Sequence, residues 1–165
     1  MKKILSIILT TVILVSLFSF NASAITNNRL TENEIVVSET TEYFEDGSSI
    51  TTTITQFINQ TSARATKTVS GSKTKTAKNS SGSVLYKFKV TGTFLVNEGV
   101  SATCTAVSCS ASDLASGWSL DSSSTSKSGN TASATGIFKY KVLGITTKTQ
   151  ETKANLSCDA NGALS

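Results

Sequence analysis

One pattern occurs twice in this chain and limits what it can fold into: Tyr86-Lys87-Phe88-Lys89-Val90-Thr91-Gly92 and Phe138-Lys139-Tyr140-Lys141-Val142-Leu143-Gly144. Each copy alternates apolar residues with Lys. Successive side chains of a strand point to opposite faces, so each copy places its aromatic and aliphatic groups on one face and its Lys on the other. That is the signature of a half-buried β-strand, and a helix cannot use it. The outward Lys pairs carry a second expectation. Like charges directly opposite one another destabilise a sheet, so the two strands should not be paired in register.

The rest of the chain follows the same period. Val84–Val96 points Tyr86, Phe88, Val90 and Phe94 inward and ends in the turn Asn97-Glu98-Gly99. Val100–Cys109 aligns Val100, Ala102, Cys104 and Ala106; Trp118 and Leu120 share a face; Asp121–Asn130 is Ser-rich and closes in a turn at Ser128-Gly129-Asn130. Thr131–Tyr140 aligns Ala132, Ala134, Gly136, Phe138 and Tyr140, and Thr146–Cys158 aligns Ala154, Leu156 and Cys158. Pro is absent and apolar residues come singly, which favours strands throughout. Short alternating strands separated by turns predict an all-β domain over 84–165, an antiparallel β-sandwich or, alternatively, a small barrel.

The N-terminal part divides into three. Lys2 and Lys3, the apolar run Ile4–Phe20 and Ala22-Ser23-Ala24 form a secretory signal peptide over 1–24. The run is interrupted by Ser and Thr and is shorter than the roughly 20 apolar residues a spanning helix needs, so the membrane is met only through this peptide. With no Cys beside the cleavage site and no second apolar stretch, the expected product is secreted and extracellular. Residues 25–60 read as an acidic β-hairpin arm: Ile35–Phe44 and Ser49–Ile58 flank Asp46-Gly47, a pair suited to a type I′ turn. Residues 61–83, made of Ser, Thr, Gly and Lys, read as a basic linker.

Charge is unevenly distributed behind the net value of +4. Ile25–Ser62 holds one base against six acids, whereas Ala63–Ser165 holds twelve bases against five acids. A cationic face built from Lys87, Lys89, Lys139 and Lys141, with the basic linker, suits an anionic surface such as a cell-wall polymer or another anionic glycan. Nucleic acid is a poor partner for an exported chain whose basic stretch has no interleaved aromatics for base stacking. A secreted toxin, bacteriocin-like factor or inhibitor, its basic domain masked by the acidic segment until cleavage, is the alternative.

Catalytic chemistry lacks its usual materials. There is no His, hence no Ser-His or Cys-His dyad and no imidazole base. Glu98, Asp113, Asp121, Glu151 and Asp159 fall in turns or on outward positions, where solvated surface acids are expected. No cofactor or metal is implied, since a fourth ligand for a three-thiolate site is missing. Trp118 reads as a core residue in preference to a sugar-stacking platform.

Three Cys in an exported chain suggest one disulfide and one spare thiol. Strand parity puts Cys104 and Cys158 on core faces and Cys109 opposite. A Cys104–Cys158 bridge closes a loop of about 55 residues worth about 4 kcal/mol, against about 2 kcal/mol for Cys104–Cys109. Three reduced thiols are the remaining possibility. The order Cys104, Trp118, Cys158 invites comparison with immunoglobulin domains, but Leu156 stands where a tyrosine corner would need Tyr.

Asn79-Ser80-Ser81-Gly82, Tyr86, Thr91-Gly92-Thr93-Phe94, Cys104, Trp118, Ser126-Lys127-Ser128-Gly129, Gly144-Ile145 and Cys158–Ser165 together resemble a family of small exported β-domain proteins of anaerobic Gram-positive bacteria, itself functionally uncharacterised. The resemblance covers about 79–165. It implies export and a β domain, and it brings no catalytic residues; Cys109 is an addition to the pattern.

Overall fold

The structure, a computed structural model, describes residues 33–58 and 66–165; residues 1–32, which include the expected signal peptide, and 59–65 lie outside the described residues. Eight strands run in chain order: β1 (Glu34–Tyr43), β2 (Ser49–Phe57), β3 (Thr66–Lys78), β4 (Val84–Asn97), β5 (Ser101–Ser112), β6 (Trp118–Ser128), β7 (Thr131–Val142) and β8 (Ile145–Ser157). They form two antiparallel meanders, a five-stranded sheet in the order β1-β2-β3-β4-β5 and a three-stranded sheet in the order β6-β7-β8. The smaller sheet packs on the larger with β6 against β5, β7 against β4 and β5, and β8 against β3 and β4. The fold is therefore an all-β sandwich built from meanders. It does not have the Greek-key connectivity of an immunoglobulin domain.

The twice-repeated pattern forms the centre. β4 buries Tyr86, Phe88, Val90, Phe94 and Val96, and β7 buries Ala132, Ala134 and Phe138. Tyr86 stacks on Phe138 across the two sheets, with centroids 3.8 Å apart, and Phe88 meets Phe138 edge-on. Side chains of the two inner faces interdigitate, so large groups need small ones opposite. Gly136 supplies that space: a Cβ there would stand 2.9 Å from the Phe88 ring. β4 and β7 lie in different sheets, so their Lys pairs never face one another across a ladder.

Three expectations need correction. The stretch 61–83, read as a linker, contains β3, which is paired along its length with β2 on one side and β4 on the other. Ladders on both edges hold it, so its buried positions are filled by Val69, Gly71, Ser72, Thr76 and Ala77 without any large apolar group. The hairpin arm is thereby built into the sheet. Its turn is longer than Asp-Gly alone: Gly47 N–H donates to Phe44 O and Phe44 N–H to Ser48 O, and only Gly47 takes positive φ, at 77°. Finally, Val100 sits in the β4–β5 turn and is exposed.

Candidate functional site

Parity along β4 and β7 decides where the four outward lysines go. Lys87 and Lys89 alternate with Tyr86 and Phe88, so they leave the outer face of the five-stranded sheet. Lys139 adjoins Phe138, so it leaves the outer face of the other sheet. Because Tyr86 and Phe138 stack between the layers, the two sets emerge on opposite sides of the sandwich. They do not form one face. Lys87 Nζ is 2.7 Å from Asp113 Oδ2, and Lys139 Nζ is 2.9 Å from Asp121 Oδ2. Lys89 and Lys141 are exposed and have no carboxylate within 4.0 Å among the described residues.

The acids of the basic half are all engaged. Glu98 pairs with Lys67 at 3.2 Å and Glu151 with Lys153 at 3.0 Å. Asp159 accepts the backbone N–H groups of Ala163 and Asn161, each at 2.8 Å, and these bonds hold its carboxyl below the usual range. Exposed pairs of this kind stabilise by about 0–1 kcal/mol at most; their larger effect is to leave an unbalanced set of cations. Lys73, Lys75, Lys78, Lys89, Lys127, Lys141 and Lys148 have no carboxylate within 4.0 Å among the described residues. Of these, Lys127 donates to Thr105 O at 2.7 Å, tying β6 to β5.

Two members of that set lie where linker composition hid them. Lys73 is opposite Ile54 of β2 and Val90 of β4, and Lys75 is opposite Thr52 and Phe88. Residues opposite one another share a face, and Val90 and Phe88 face the core. Both lysines therefore project from the inner side of β3, half-buried. Burial pushes the Lys73 ammonium below its ordinary pKa, and the like charge of Lys75 pushes it the same way. Nothing in a run of Ser, Thr, Gly and Lys announces this; the phase becomes visible only once Gly71 is set against Gly92.

The cysteines differ from expectation. Cys104 and Cys158 are buried but unbridged, and Cys109 is also a free thiol. Cys104 lies on β5, which packs under β6 and β7, whereas Cys158 follows β8, which packs over β3 and β4. Both flank the β6–β7 turn, Cys104 N–H donating to Gly129 O and Cys158 N–H to Asn130 O, yet each thiol donates to a nearby carbonyl, Ala106 O or Asp159 O. Cys109 is opposite Val90 and packs against the core, not away from it. The reason is a β-bulge: Phe94 faces Cys104 but Thr93 faces Ala106, so Thr105 is an extra residue that reverses parity downstream. Trp118 packs beside Tyr86 and Tyr140, with centroids 5.2 and 5.5 Å away, as part of an aromatic cluster.

Compared with known proteins, the chain matches no family model, no curated sequence and no solved structure.

Proposed function

We propose that this protein is a secreted, non-enzymatic β-sandwich that associates with an anionic surface, a cell-wall polymer or comparable glycan. The support is the charge imbalance of residues 66–165: every carboxylate there is engaged by a Lys or by backbone N–H groups, while seven lysines have no carboxylate partner among the described residues. Those cations give the faces built by residues 66–165 a positive sign, while Glu34, Glu39, Glu42, Glu45 and Asp46 place negative charge on the β1–β2 hairpin of the same sheet. An acidic pro-segment released by cleavage fits less well, because β1 and β2 are hydrogen-bonded into the same sheet as β3.

Co-sedimentation of the mature chain, residues 25–165, with purified bacterial cell wall tests this role. Exposed charges are screened over about 10 Å at 0.1 M salt, so binding at low salt should fade as salt rises. A chain that stays in the supernatant at low salt would exclude the role.

A further inference from the structure

The two sheets are unequal, five strands against three. β8, the last strand of the smaller sheet, packs mainly over β3 and β4 and reaches β2 only at the hairpin end, across a cleft. Past β8, the inner face of the larger sheet therefore forms a shelf. Its floor is Ile50 and Thr52 of β2 beside Lys73 and Lys75 of β3, with Ile54 buried and Glu42 of β1 opposite Ile50. At the hairpin end, Ile50 and Ala77 line a cleft with Lys148 and Gln150 of β8 and with Asp46 of the β1–β2 turn, whose carboxylate offsets Lys148. β8 pairs only with β7, so its outer edge carries backbone groups without a ladder partner; at its end Ser157 exchanges both backbone bonds with Ser165, each 2.9 Å.

Lys73 and Lys75 are half-buried beside Val90 and Phe88 of the core strand. Partial burial, and then the charge of Lys75, act against the charge of Lys73, and no carboxylate lies within 4.0 Å of either lysine among the described residues. Charges retained against stability point to a site that waits for its counter-charge.

We infer that this trough is the seat of a linear anionic glycan, whose negative groups lie over Lys73 and Lys75 while its hydroxyls meet the open edge of β8. Two lysines on one face of a strand are spaced by about 7 Å along it, which suits successive charges of an extended chain better than one small ion. The assignment rests on the surface role proposed above and names its site.

The rival structural role is that inward lysines at an open edge deter strand addition. The mature chain is compared with the pairs Lys73→Gln/Lys75→Gln and Lys87→Gln/Lys89→Gln, by pelleting with purified cell wall, by light scattering, and by NMR titration with sodium polyphosphate. Removing Lys73 and Lys75 should weaken wall binding about tenfold or more, since charge-assisted bonds are lost, whereas the outer pair should change it by about twofold or less. The inner variant should melt no lower than the parent, because a repulsion is relieved. Polyphosphate should shift the amides of Ile54, Lys73, Lys75 and Gln150 first.

Equal losses in both variants would overturn the trough while leaving the surface role standing. Shifts at the trough without wall binding would leave the trough and overturn the surface role. Unchanged wall binding with new self-association of the inner variant would assign the lysines to edge protection and overturn the inference, as would a preference for polyglutamate over wall.

Discussion

Tyr86 is the point at which three strands of both sheets meet, and its hydroxyl offers a measurable link between them. The ring is fully buried, stacked on Phe138 of β7, and the hydroxyl lies 2.9 Å from Oγ1 of Thr152 on β8. Thr152 is itself buried, at 5% exposure. No buried side-chain nitrogen or oxygen lacks a partner among the described residues, so removing either hydroxyl strands the other. Tyr86→Phe keeps the ring and its stacking but leaves Thr152 without its partner. Thr152→Val keeps the shape and leaves the phenol unpaired. An unsatisfied buried group costs about 1–3 kcal/mol, and each single variant should lose that much. The double variant removes both hydroxyls together, so it should lose clearly less than the sum of the singles. The interaction energy from the cycle is then about 1–3 kcal/mol. Urea unfolding followed by the fluorescence of Trp118, the sole Trp, 5.2 Å from Tyr86, reads all four proteins, with an unchanged denaturant slope as the check on two-state behaviour. Losses that simply add would refute a direct bond between β4 and β8.

Gly136→Ala would place a Cβ 2.9 Å from the Phe88 ring and 3.1 Å from that of Phe138; overpacking of this kind should cost about 1–3 kcal/mol in the same assay, and an unchanged midpoint would mean the interlayer contact is looser than described. Burial first, and then the charge of Asp159, push the Cys158 thiol up to about 11 from 9.0. A raised folded-state pKa means stability is fully present below about pH 9 and is lost as pH climbs towards 11. Two units correspond to about 3 kcal/mol, so between pH 8 and pH 11 the parent should lose more urea resistance than Cys158→Ala; equal losses would remove Cys158 as the cause. Alkylation without reductant should label Cys109 ahead of the buried Cys104 and Cys158, and all three should react once urea unfolds the chain. An intact mass with only one label after unfolding would establish the bridge that the structure lacks.

Alternation was readable wherever one face of a strand meets the core and the other meets water. β4, β7 and the end of β8 satisfy that condition, and their buried residues fall where period two puts them. Alternation fails at residues the partner strand skips. Val37, Leu85, Thr105, Asp121 and Thr147 are each an extra residue in a ladder, and a bulge belongs to a pair of strands, so neither strand alone records it. That is why Cys109 turns inward although it stands five positions after Cys104. β3 fails for another reason: a strand paired on both edges can be stabilised by its ladders and buried through small side chains, so its composition is that of a linker. The same two limits govern the candidate site. Of the lysines picked by alternation, all outward by construction, Lys87 and Lys139 meet Asp113 and Asp121, while Lys89 and Lys141 are exposed with no carboxylate within 4.0 Å among the described residues. Lys73 and Lys75 are invisible to that criterion because their facing is fixed by Val90 and Phe88 on the neighbouring strand. Part of the candidate site thus rests on positions that only sheet pairing discloses.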